Sequence, residues 1–171
     1  GDLKISPNGG KDSEHQPGQG IENSFDGKFG GTPYHSIWNQ KANFPVTLEY
    51  FFDGTKDIDY LIYHTRSGNG NFGKLDIYTA EYTKYGSFDF KMQNASSRVV
   101  FAQSLKKATK IKFEVHSGLG DFVSCDEMEF YQKNPDKKLD AQLLGVFTDI
   151  TCTEVRDEAT DAQINALPGY F

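Results

Sequence analysis

Hydrophobic and polar positions alternate most cleanly over residues 110–115, where Ile111, Phe113 and Val115 face one way and Lys110, Lys112 and Glu114 the other. Alternation with a period of two predicts a half-buried strand. FPVTLEYFF, residues 44–52, repeats the pattern in part, with Val46, Leu48 and Tyr50 on one face. DGT at 53–55 is a turn signal, and the IDYLIY that follows is a nearly continuous apolar run, as expected of a central strand. KLDIYTAE, SFDFKMQ, SRVVFAQ, ATKIKFEVHSG and SCDEMEFYQ supply further short strands at intervals of roughly 8–15 residues, with almost no helical period among them. The pattern predicts an all-β fold, an antiparallel β-sandwich.

Both ends of the chain have a different texture. Residues 1–33 are rich in Gly, Pro, Asn and Ser, including SPNGGKDSEHQPGQG and DGKFGGTP. Such a segment is loop-dominated, yet a ligand or ion can order it. After Tyr131 comes QKNPDKKLDAQ, a charged linker carrying Pro135. LLGVFTDI then reads as a strand, and TDAQINALPG as a helix, with Thr160 and Gln163 as a capping box and Pro168-Gly169 as the stop. The reading divides the chain into a β-sandwich module over 1–133 and, over 134–171, a linker and the start of a following region with some helix. No internal repeat is visible.

Composition narrows the function classes. The chain has 171 residues, of which 14% are aromatic, mainly 14 Phe and 9 Tyr, and these suit pleated, half-buried surfaces. The formal net charge is -6 and no basic stripe is visible, so nucleic acid is not an expected partner. An anionic membrane surface is disfavoured for the same reason. No apolar run approaches the ~20 residues of a membrane span, so no membrane insertion is expected. The opening GDLKISPNGG is not a signal peptide, although a processed precursor would begin in the same way. Cys125 and Cys152 form neither a disulfide framework nor a metal-ligand pair, and two free, buried thiols are expected.

Three segments carry candidate chemistry. The first is SFDGKFGGTPYHSIWN, residues 24–39. Asp26-Gly27 opens a tight turn with Thr32 six residues after Asp26, and oxygen-rich turns of this kind can wrap Ca²⁺. By pattern alone an ordinary turn is the plainer reading. His35 and Trp38 follow, three apart, and Trp38 is the single tryptophan. It is either a core anchor or a platform for a flat ligand face.

The second segment is the loop 64–73, which holds His64, Arg66, Asn69, Asn71 and Phe72 with glycines at 68, 70 and 73. A hairpin connection needs only about two to five residues. The rigid donor fork of Arg66 and the mixed donor–acceptor amide of Asn71 suit a ligand dense in hydroxyls. The plainer alternative is a solvated arginine pairing with Asp57 or Asp59. The third segment is SGLGDFVSCDEMEFY, residues 117–131. Phe122 lies in a glycine-rich loop, where an exposed aromatic is unusual without a ligand. Glu127 and Glu129 alternate with Met128 and Phe130, and a carboxylate at a strand start either closes an ion site or is a surface charge. HExxH, GxSxG, a nucleotide loop and a Cys–His signature are all absent, which favours a binding role over catalysis.

Taken together and in this order, the segments resemble the discoidin or coagulation factor type C fold in its bacterial branch, the family 32 carbohydrate-binding modules. SFDGKFGGTPYHSIW is similar to the family's calcium-loop region, IDYLIYHTRSGNGNFGKLDIY to its strand–loop–strand hairpin, and SCDEMEFY to its closing strand. The likeness covers about residues 3–132. Two departures stand out: Thr65 replaces the usual proline before the arginine, and Lys28 stands where a second acidic residue is common.

The resemblance implies a discoidin-like jelly roll with a shallow sugar site built from loops at one end. His35, Trp38, Arg66, Asn71 and Phe122 fall on the family's sugar-contacting positions. It also implies a structural calcium held by Asp26, Thr32 and Glu127, with backbone oxygens near Phe25, Lys28 and Cys125. The implied ligand is terminal galactose or N-acetylgalactosamine on mucin-like glycans, bound without turnover by a monomer that targets an attached enzyme. The implied setting is extracellular, periplasmic or attached to a bacterial cell surface. The C-terminal segment is similar to the region that follows such modules in enhancin-like, mucin-targeting zinc metallopeptidases of Bacteroidetes; glycoside hydrolases are the other common host. Adhesion to a protein or cell surface without sugar binding is the alternative.

Overall fold

The computed structural model describes residues 1–135 and the backbone of Val155–Arg156 and Gln163–Ile164. Its strands, in chain order, are β1 (Leu3–Ile5), β2 (Gly9–Asp12), β3 (Tyr34–His35), β4 (Val46–His64), β5 (Lys74–Tyr78), β6 (Lys84–Asp89), β7 (Ser97–Val115), β8 (Ser124–Cys125), β9 (Glu127–Gln132), β10 (Val155–Arg156) and β11 (Gln163–Ile164). Two short 3₁₀ turns, Ile21–Ser24 and Leu119–Asp121, interrupt the loops.

The alternating runs pair as their patterns require. Val46, Leu48 and Tyr50 lie opposite Val115, Phe113 and Ile111, and all six side chains are buried. On β4, residues 46–51 take β2 on one side and the end of β7 on the other, and β7 continues through β5 to β6. Residues 60–64 of the same strand instead pair with β9 and with the start of β7, and β9 carries β1. Two layers result, five strands facing four. Phe130 on β9 crosses between them, its ring 5.3 Å from Tyr50 and 6.4 Å from Phe113. Truncating such a buried ring to alanine costs about 3–5 kcal/mol.

The expected turn at DGT does not form. β4 runs through it for 19 residues, and β7 likewise joins SRVVFAQ to KIKFEV. Register shifts between Phe51 and Tyr60 absorb the extra residues, with Gly54 of β4 at φ 72° and Lys107 of β7 at φ 49°. These bulges bend each long strand so that its two halves serve different layers. A glycine with positive φ reads as a turn in sequence and acts here as a hinge within a strand.

Gln163 does not sit in the expected helix. Gln163–Ile164 pairs antiparallel with Val155–Arg156, so cross-strand pairing overrides the local capping signature at that point. The rest of TDAQINALPG, all of LLGVFTDI and Cys152 lie outside the described residues. Cys125 is a buried free thiol, as expected.

Candidate functional site

β3 and β8 form a small separate ribbon, Tyr34 opposite Cys125 and His35 opposite Ser124. It extends past its strands: Ser36 N donates to Val123 O (2.8 Å), and Val123 N donates to Ser36 Oγ (2.9 Å). The loops after β4 and β7 lace onto it. Gly73 N donates to Ser117 O, Leu119 N to Asn71 O, Gly70 N to Leu119 O and Ser124 N to Gly70 O, all at 2.8–2.9 Å. Gly70 is at φ 92°, and a Cβ there would stand 2.5 Å from Ser124 N. Only glycine allows that approach.

This lacing brings together four of the five expected sugar-contacting side chains. The His35 ring lies 6.1 Å from Trp38, edge-on, and 5.5 Å from Phe122. Arg66 is close enough that its charge helps to lower the His35 pKa. Trp38 is 55% exposed, so it is not a core anchor. Phe122 is half-buried and Arg66 exposed. Arg66 pairs with neither Asp57 nor Asp59: Asp57 accepts from Lys107 N, and Asp59 accepts from Ser104 and Lys133 N.

Asn71, the fifth, is fully buried beside the cluster. Its Oδ1 accepts from Gly68 N (3.2 Å), and its Nδ2 donates to Asn94 Oδ1 (3.3 Å). It braces the arginine loop, and the exposed amide next to it is that of Asn94.

The protonation of His35 follows from geometry. Nδ1 is 2.7 Å from Ser36 O, which can only accept, so Nδ1 carries the hydrogen. Burial, opposed by this bond and assisted by Arg66, lowers the pKa, so the ring is neutral at ordinary pH. Nε2 is left as a hydrogen-bond acceptor. An acceptor on His35, a donor fork on Arg66 and two aromatic faces make a shallow surface suited to a neutral, hydroxyl-bearing ligand with one apolar side.

A second cluster lies at the other end of the β8 ribbon. Glu127 is buried, its Oε2 accepts from Gly27 N (3.3 Å), and its Oε1 has no hydrogen-bond partner among the described residues. Burial and the neighbouring Asp26 carboxyl push its pKa up to about 8. Asp26 Oδ1 accepts from Lys28 N (2.9 Å), which tightens the turn that carries it. Asp126 accepts from Gly30 N with both oxygens (3.2 and 3.0 Å), pinning the loop to the same strand junction. Thr32 is exposed on this loop, the Phe25 ring packs 6.0 Å from Tyr50, and Cys125 lies in β8. Two adjacent carboxyls, one with a buried unpartnered oxygen, form a donor set that a hard, oxygen-seeking cation would satisfy. A third group, Asp76, Glu114 and His116, has ligand atoms within 4.8 Å of one another. Its carboxylates are already met by Lys84 (3.4 Å) and Lys112 (3.5 Å).

Sequence reasoning missed Glu14, Gln16, Tyr63, Asn94 and Asp126. Each acts on a loop far away in sequence, and only Asp126, adjacent to Glu127, carried a local hint.

No protein-family model and no curated protein matches the sequence. Solved structures do match. The family 32 module of Clostridium perfringens NanJ, determined in complex with galactose, superposes with a TM-score of 0.68 at 19% identity, over 76% of this chain and 100% of that one. The Clostridium perfringens module CpGH89CBM32-5, in complex with GalNAc-β-1,3-galactose, gives a TM-score of 0.65 at 23% identity, covering 72% and 94%. A Clostridium perfringens ZmpB structure holding two such modules and an M60 catalytic domain gives 0.70 at 19% identity, covering 86% of this chain and 16% of that one. With its two antiparallel layers and the bent strands that join them, the chain has the β-sandwich fold of the family 32 carbohydrate-binding modules.

Proposed function

We propose that the protein is a non-catalytic carbohydrate-binding module that recognises terminal galactose or N-acetylgalactosamine, as on mucin glycans. The observation that carries this reading is the convergence of the neutral His35, the exposed Arg66 fork and the exposed Trp38 on one surface. An axial O4 leaves one face of galactose free of hydroxyls. That face can lie on Trp38 and Phe122 while O4 donates to His35 Nε2 and accepts from Arg66. Glucose, with O4 equatorial, cannot offer both at once. The galactose and GalNAc-galactose complexes of the structurally similar modules support the same ligand class.

A shallow site for one small polar sugar gains few contacts, so a dissociation constant of order 0.1–1 mM is expected. Retention on a glycan-dense surface then depends on several sugars facing a tethered module. The joining of similar modules to a catalytic domain in ZmpB supports a targeting role. Calcium fits the second cluster: Asp26 and Glu127 would hold it, and the charge would relieve their mutual repulsion and tie the first long loop to β9.

A glycan array probed with and without calcium tests the reading. Binding confined to terminal galactose-type sugars and lost in Arg66→Ala is the expected result. Equal competition by glucose would refute the site assignment. Absence of all glycan binding would leave protein adhesion as the function.

A further inference from the structure

Trp38 stands on residues 36–43, a loop with no strand of its own beyond the ribbon. An indole 55% exposed on such a loop would ordinarily sample many positions. Here the irregular segment before β3 holds it from behind. Glu14 Oε2 accepts from Ile37 N (3.0 Å), and Oε1 accepts from Asn43 N (2.8 Å) and Asn43 Nδ2 (3.1 Å). One carboxylate thus ties the start of the loop to its end. Gln16 Oε1 accepts from Trp38 N itself (2.9 Å), and Gln16 N donates to His35 O (2.8 Å). The clamp is itself anchored, because the hydroxyl of the fully buried Tyr34 donates to Glu14 O (2.7 Å).

We propose that Glu14 and Gln16 are positioning residues for the sugar site, holding the Trp38 loop in its binding conformation before ligand arrives. The proposal rests on the reading of Trp38 as a sugar platform. Ionised carboxylates make the stronger hydrogen bonds to backbone N–H groups, so Glu14 is the main fastener and Gln16 the local one. Preorganisation raises affinity without adding a contact, because ordering the loop no longer accompanies binding. The segment 13–20 therefore contributes to affinity while its side chains stay off the sugar.

The single tryptophan makes the test direct. Trp38 anisotropy decay and acrylamide quenching, without sugar, are compared among the parent, Glu14→Ala, Glu14→Gln, Gln16→Ala and the exposed-turn control Glu81→Ala. Galactose titration and melting temperature are measured on the same five proteins. Glu14→Ala is expected to loosen Trp38, increase its quenching and weaken galactose binding by about five- to tenfold with the melting temperature nearly unchanged. Glu14→Gln, which keeps one acceptor, should recover part of both effects, and Gln16→Ala should show a smaller loss. Parent-like anisotropy and affinity in Glu14→Ala would overturn the proposal. So would an affinity loss that merely follows a loss of fold stability. If Glu14→Ala fails to fold, Gln16→Ala decides by the same readouts. If the parent binds no galactose, the sugar reading falls, while Trp38 anisotropy still decides whether the clamp exists.

Discussion

Tyr63 lies flat on Phe72, ring centroids 3.9 Å apart and planes 10° from parallel. Its hydroxyl accepts from Phe72 N (3.0 Å) and donates to Ser124 O (3.0 Å). One buried core residue of β4 therefore sets both the arginine loop and the ribbon that carries His35. Tyr63→Phe keeps the stack but leaves two buried backbone groups unpaired, at a cost of ~1–3 kcal/mol. Denaturant unfolding should show that loss, together with weaker galactose binding. Parent-like stability would mean that the hydroxyl is not a strut.

Arg66 is exposed and forms no ion pair among the described residues. Arg66→Ala should abolish detectable binding while stability stays within about 0.5 kcal/mol of the parent, as for most surface changes. Trp38→Ala and Phe122→Ala should each weaken binding by removing aromatic packing on the sugar face. Calorimetric titration with galactose, run beside thermal melts, separates the two effects. Full binding by Arg66→Ala would remove the arginine from the site.

The histidine gives the site a pH signature. On the proposed reading binding uses Nε2 as an acceptor, and protonation would convert it to a donor facing a hydroxyl and the Arg66 charge. Because burial lowers the His35 pKa from 6.5, the fall in affinity on acidification should centre below pH 6.5. The sign for stability is the same. The unfolded chain takes up this proton first, so the fold loses stability as pH drops below the ordinary histidine value. An affinity midpoint at or above pH 6.5 would contradict the lowered His35 pKa.

Calcium should act most strongly in alkaline solution. Without the ion, Glu127 titrates at about 8 in the fold against 4.5 when unperturbed, so the folded state holds the extra proton. Ion-free stability should therefore decline as pH rises from about 4.5 through about 8. Added Ca²⁺ should raise the melting temperature, and more so at pH 8 than at pH 5. Glu127→Gln should remove both the decline and the response to Ca²⁺. A chelated protein that melts as the calcium-treated one does, at both pH values, would dispose of the ion site.

The sandwich was legible because Val46, Leu48, Tyr50, Ile111, Phe113 and Val115 announce their faces in a period of two. The bends in β4 and β7 were not legible. A glycine in the left-handed region has the same sequence signature whether it ends a strand or hinges it. Of the site, the aromatic and cationic members were picked out by the resemblance of three segments taken together, since on composition alone Arg66 reads as a solvated loop arginine. Asn71 was legible as a position, but its burial depends on Gly68 and Asn94, and no periodicity encodes that. Glu14 and Gln16 were invisible for the same reason: they sit in a polar stretch with no pattern, and their partners lie 22 to 29 residues away.

The β3–β8 ribbon has a consequence for biosynthesis. Its flanking bond from Val123 N to Ser36 Oγ closes 87 residues of chain, and the bond from Gly27 N to Glu127 spans 100. Contacts of such long sequence separation form late and slowly, because loop-closure entropy must be overcome first. A nascent chain therefore has no partial site to offer: His35 and Trp38 emerge early but lack Phe122 and the Ser124 strand until nearly all of residues 1–133 have been made. On the proposed reading, a sugar site would be complete only once the sandwich itself is complete.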